Sequence, residues 1–117
     1  MVEWKNLDTL NAYEKLQKVA KVDVAKVMSG ESGANRVKNY SVPMAEGMAY
    51  NYAAKAVDDD VLAALKDLAE EAQLSDKYEE LYNGAVINTG EKRMVLHQLC
   101  RGQLGEDVIA DGVNKRE

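Results

Sequence analysis

The sequence predicts a mostly helical α+β fold with one small β-hairpin, and three observations carry that expectation. Apolar residues recur every three to four positions along "VDDDVLAALKDLAEEAQL", the spacing of a single buried helix face. They alternate instead across "SVPMAEGMAYNYA", where Glu46-Gly47 interrupts two short arms; that is the period of paired strands about a tight turn. Hydrophobic residues make up 46% of the 117 and charged residues 30%. That balance supports one folded domain, residues 1–117, rather than a disordered chain.

Asp8 is placed to cap a first helix whose apolar face is Leu10, Tyr13, Leu16 and Ala20. The pattern shifts phase near Val22, and Asp23 can cap a second, short helix over "VAKVM". That helix is expected to end in the small-residue loop "SGESGANR", with Gly30 where a left-handed residue is wanted. In the hairpin Val42 and Met44 alternate on one arm and Met48, Tyr50 and Tyr52 on the other. Pro43 has no N–H to donate, which puts the first arm at an edge.

Asp58, Asp59 and Asp60 offer the next helix a cap and the negative charge its dipole favours. Val61, Leu62, Leu65, Leu68, Ala69 and Ala72 form its expected buried stripe. Ser75 is expected to cap the short helix "DKYEELYN", with Tyr78, Leu81 and Tyr82 inward and Gly84 at its end. Asn88 followed by Glu91 is a capping-box arrangement. The helix it predicts buries Val95, Leu96, Leu99 and Cys100 and aligns Arg93, His97 and Arg101 along the opposite flank. Beyond it, "QLGEDVIADGVNKRE" holds a short apolar piece (Val108 and Ile109), a turn at Asp111-Gly112 and a polar end. The last residues bring neither a cap nor a closing apolar contact, as expected of a truncated piece.

Composition narrows the function classes. A net charge of -5 argues against nucleic acid as the main partner, because phosphate backbones require a basic face. One cysteine allows no internal disulfide and fits a reducing compartment. The start "MVEWKNLDTL" is no signal peptide and no apolar run approaches membrane-spanning length, so the expected location is cytoplasmic, with no membrane partner. Six Tyr, one Trp and no Phe mean that every aromatic brings a polar atom needing a partner or water.

Chemistry-bearing residues are few. Arg93, His97 and Arg101 can hold a phosphate or carboxylate, or they form a solvated, ion-paired flank. His97 and Cys100 are within reach of each other as a nucleophile pair, but Cys100 on the apolar side would be buried and inert. Zinc is rejected, since no other Cys or His exists to complete a site. "SGESG" matches no phosphate-binding loop. Met44, Met48 and Met94 read as core filler, and Glu70, Glu71, Glu79 and Glu80 as solvated helix surface. The residues assemble no catalytic constellation, no cofactor site and no metal site.

"INTGEKRMVLHQLCRG" nevertheless resembles the N-terminal signature of the glucose-6-phosphate isomerase (phosphoglucose isomerase) family, through Ile87, Asn88, Glu91, Arg93, Val95, Leu96, His97 and Arg101. "NRVKNYSV", "NYAAKAVDDDVLAALKDLAEEAQL", "YNG" and "VIADGVN" are similar to flanking family segments in the same order. Departures are Gly90 for the usual Thr, Lys92 for a common Gly, Asn51 and Ala53 around Tyr52, and a longer stretch near Pro43.

The resemblance implies a parent enzyme of α/β type with two sugar-isomerase subdomains, of which this chain is the N-terminal segment. That parent interconverts glucose 6-phosphate and fructose 6-phosphate in glycolysis and gluconeogenesis, through an enediol and without a cofactor, typically as a homodimer. The family's catalytic groups lie in later parts of its chain, so no catalytic residue is carried over. Arg93 and His97 remain the candidates for contacts to the rest of the parent or for a role near substrate. The alternative is an independent helical protein-interaction module without catalysis. A third reading is a small anion-binding protein using Arg93, His97 and Arg101.

Overall fold

Asp23 and Asp58 start helices as their positions predict in the computed structural model, which describes residues 2–101 and 106–116. The chain divides into two units, Leu7–Leu68 and Met1–Asn6 with Ala69–Glu117.

In the Leu7–Leu68 unit, a 3-10 turn at Leu7–Thr9 precedes α1 (Asn11–Lys18). The N–H of Leu10 bonds the Leu7 carbonyl at 3.1 Å, so Asp8 lies inside that turn. The cap position falls to Leu10, which makes no side-chain cap bond. Leu10 and Ala12 are buried, whereas Ala20 lies beyond the helix end and is exposed. Asp23 caps α2 (Val24–Val27) by accepting from the Lys26 N–H at 3.2 Å.

The glycine–serine stretch is not a loop. Gly30 takes the expected left-handed φ of 58°, but α3 (Gly30–Asn39) begins there rather than ending. Its second turn needs Gly33, because a Cβ at that position would lie 2.1 Å from the Met28 carbonyl oxygen. Small residues here admit a close passage of backbone, a reason that composition alone does not reveal.

The hairpin forms as expected. β1 (Ser41–Pro43) and β2 (Ala49–Asn51) are antiparallel, pairing Ser41 with Asn51, Val42 with Tyr50 and Pro43 with Ala49. Glu46 (φ 59°) and Gly47 (φ 72°) make the reversal, and the Met44 N–H donates to the Met48 carbonyl at 2.8 Å. Met44 and Met48 are more than half exposed, at 52% and 56%, so neither fills a core. Tyr40 and Tyr52 stack with centroids 5.1 Å apart, and Tyr50 continues the stack 6.3 Å from Tyr52.

Asp58 caps α4 (Asp59–Glu71), accepting from the Val61 N–H at 2.9 Å. Its buried line centres on Ala64, with Val61, Leu62 and Leu68 half-buried beside it. Leu65, expected inside, is 39% exposed.

In the other unit α5 (Leu74–Tyr82) starts one residue before Ser75, behind Gln73 in a left-handed conformation with φ 53°. Ser75 is therefore inside the helix and does not cap it. The Gln73 side chain instead accepts the Glu3 N–H at 2.9 Å, and Lys77 sits over the Trp4 ring at 5.1 Å. Leu81 and Tyr82 are half-buried as expected, but Tyr78 is 60% exposed, its ring tilted 35° against that of Tyr82 at a centroid distance of 5.4 Å. Gly84 (φ 80°) follows the helix end, with no room for a Cβ beside Val108. β3 (Ile109–Ala110) and β4 (Val113–Asn114) pair around Asp111 and Gly112, both left-handed. Val108 is buried and Ile109 is exposed. Among the described residues, no helix is long and apolar enough to cross a membrane.

Candidate functional site

Asn88 and Glu91 do find each other, but not at the start of a helix. Asn88 Oδ1 accepts the Glu91 N–H at 3.2 Å, and Asn88 Nδ2 donates to Glu91 Oε2 at 3.2 Å. The chain then reverses: Asn88 and Arg93 exchange both backbone hydrogen bonds, at 3.1 and 3.2 Å. Lys92 takes a left-handed φ of 53° to close the loop. The same donor that a capping box would satisfy is satisfied by an Asx-type turn. The long helix expected after Asn88 is thus replaced by a bridged loop, an irregular run at residues 94–96 and a short 3-10 helix at His97–Arg101.

That change dissolves the cationic row. Arg93 sits in the bridge and His97 and Arg101 at the two ends of the short helix, so the three no longer recur along one helix face. All three are exposed. Arg93 approaches Glu91 at 4.0 Å with both side chains largely in solvent, a pair that contributes little to stability. Cys100 is exposed, which corrects its expected burial: the 3-10 turn does not place it on an apolar stripe with Leu99. Val95, Leu96 and Leu99 are half-buried. Gly102, the last residue of the signature stretch, and residues 103–105 lie outside the described residues.

Elsewhere in the same unit Asp76, Glu79 and Glu80 line a cleft of about 500 Å³ with Gln73 and Asn83. Glu70 and Glu71 lie on exposed surface. Among the described residues no group of three or more His, Cys, Asp or Glu side chains is placed to hold a metal ion.

Arg36 is the polar centre that sequence reasoning missed. It is 9% exposed. Its Nε donates to the Ala53 carbonyl at 2.6 Å, and Nη2 donates to the carbonyls of Lys55, at 2.9 Å, and Val57. Its guanidinium carbon also lies 4.3 Å from the Tyr40 ring centroid. One planar fork therefore organises the irregular segment between β2 and α4, whose carbonyls have no ladder to join. "NRVKNYSV" showed an arginine ahead of the hairpin, but no periodicity marks an arginine as buried.

Tyr40 shares that neighbourhood. Burial, followed by the hydrogen bond its hydroxyl donates to Asp59 Oδ1 at 3.1 Å, raises its pKa above the ordinary value. A raised folded-state pKa favours the neutral phenol. This contribution to stability is complete below the unfolded value of about 10 and is lost as pH rises through the higher folded value. Ultraviolet titration of phenolate should show one tyrosine ionising late. The variant Tyr40→Phe should lose that late component and a part of the alkaline fall in stability. An unchanged titration curve in Tyr40→Phe would refute the assignment.

The folded geometry can be set beside known proteins. Residues 51–116 match the family model described as phosphoglucose isomerase. The chain is 52% identical over 98% of its length to a glucose-6-phosphate isomerase of Treponema denticola, and spans 23% of that protein. It is 45% identical over 86% of its length to the Treponema pallidum (strain Nichols) glucose-6-phosphate isomerase, spanning 19% of it. It is 37% identical over its full length to that of Borreliella afzelii, spanning 22%. The chain thus covers about a fifth to a quarter of these relatives.

Proposed function

The chain belongs to the phosphoglucose isomerase family, and from that premise we propose that it serves as the N-terminal scaffold segment of an aldose–ketose isomerase. The parent enzyme interconverts glucose 6-phosphate and fructose 6-phosphate by acid–base chemistry, as a step of glycolysis and gluconeogenesis in the cytoplasm. The parent's partners in this reading are its sugar phosphate substrate and a second copy of the full-length chain. The observation that carries this reading is 52% identity over 98% of the chain to a relative of which the chain spans only 23%.

The scaffold role rests on the site's geometry. The bridged loop at Asn88–Arg93 is rigidified by its own hydrogen bonds, yet Arg93, His97 and Arg101 are exposed. Exposed guanidinium and imidazole groups suit polar contacts to the rest of an enzyme, with Arg93 and His97 as the contacting residues.

Coupled-assay kinetics on the purified 117-residue chain and on the native-length gene product test the proposal. The native-length protein is expected to isomerise glucose 6-phosphate and the 117 residues to show no turnover. Activity in the short chain, free of host enzyme, would overturn the scaffold role. Inactivity of the native-length product would overturn the isomerase assignment.

A further inference from the structure

The hairpin carries apolar surface on both arms. Val42 is 45% exposed, Met44 52%, Met48 56% and Tyr50 48%. Val42 and Tyr50 are cross-strand partners, and with Tyr52, Lys55, Val57 and Leu62 they line a cavity of about 470 Å³. Lys55 is the one charged residue in that lining. A grouped, concave apolar surface of this kind marks an interaction site, whereas singly exposed apolar residues do not. The two strands, three residues each, also form the type of isolated ribbon that is marginal until something packs on it.

We infer that polypeptide outside these 117 residues covers the hairpin face in the native-length protein, seating apolar side chains in the cavity between Val42, Tyr50 and Leu62. The inference rests on the segment being part of a longer isomerase, and it identifies a docking surface separate from Arg93 and His97. Two observations choose this occupant. The hairpin lies within sequence shared at 52% identity with a protein of which the chain is only 23%. Covalent tethering to the remaining three quarters presents a partner at high effective concentration. A second copy of the chain is the competing occupant, and dilution distinguishes the two. The exposed Met44 and Met48 of the same hairpin suit such a contact, because flexible thioether side chains adapt to an incoming surface.

Methionine oxidation by dilute peroxide tests the inference on the native-length gene product, with Met44 and Met48 read by peptide mass spectrometry. A covered hairpin should oxidise at least about ten-fold more slowly in the native protein than in the same protein in urea, whereas half-exposed thioethers would differ only about two-fold. Near-equal rates would overturn the inference. Protection that disappears on dilution would also overturn it, by assigning the face to a second copy. The size of the native product separates this inference from its premise. A native product of 12.9 kDa on a denaturing gel would remove both. A longer, active isomerase with unprotected methionines would remove the docking surface alone.

Discussion

Arg36→Ala is expected to destabilise the Leu7–Leu68 unit by about 3–5 kcal/mol, the largest effect of any single substitution considered. The guanidinium is buried and donates to the carbonyls of Ala53, Lys55 and Val57. Truncation leaves the Ala53 and Val57 carbonyls without this donor, while the Lys55 carbonyl keeps the Val57 N–H, and each buried unsatisfied polar group costs on the order of 1–3 kcal/mol. It also removes the cation from the face of Tyr40 and opens a void where the side chain packed. Total stabilities of domains are about 5–15 kcal/mol, so the variant should populate the unfolded state measurably. Urea denaturation followed by circular dichroism checks the size of the effect. Arg36→Lys should recover less than half of the loss, because one ammonium cannot reproduce a fork that reaches separate carbonyls. A loss below about 1 kcal/mol for Arg36→Ala would show that the carbonyls are satisfied by solvent instead.

Gly33→Ala is expected to rank second, at about 1–3 kcal/mol of destabilisation. Helix propensity alone predicts the opposite sign, since alanine is better than glycine in a helix interior by up to about 1 kcal/mol. The geometry decides against propensity. The new methyl would stand 2.1 Å from the oxygen and 2.5 Å from the carbon of the Met28 carbonyl group. Both are backbone atoms, so no rotamer change relieves the overlap, and α3 must shift away from the end of α2. Thermal denaturation of the variant measures the balance. A raised midpoint would mean that the α2–α3 connection yields more easily than its packing implies.

These two residues show where the sequence was legible and where it was not. The helix caps at Asp23 and Asp58, the hairpin about Gly47 and the turn at Asp111-Gly112 were readable because each depends on neighbours within a few residues. The Asn88–Glu91 pairing was readable too, yet its consequence was not. The same Asn–Glu hydrogen bonds close a bridged loop or cap a helix, and the backbone conformation of Lys92 selects between them. With the long helix went the row of Arg93, His97 and Arg101 and the burial of Cys100. The α3 glycines misled for the converse reason: a stretch that looks like a loop by propensity is helical because Gly33 lets Met28 pass close by.

The sequence by itself determined the helical character, the hairpin and, through one signature stretch, the family to which the chain belongs. All of these follow from local spacing, charge and residue order. Only the tertiary structure decided that Arg36 is buried, that Gly33 cannot carry a side chain, that Leu65, Tyr78, Met44 and Met48 face outward, and that the signature folds as a loop. Those outcomes depend on which backbone atoms arrive from distant positions to accept a proton or exclude a methyl group, and no periodicity in one segment encodes what another segment brings to it.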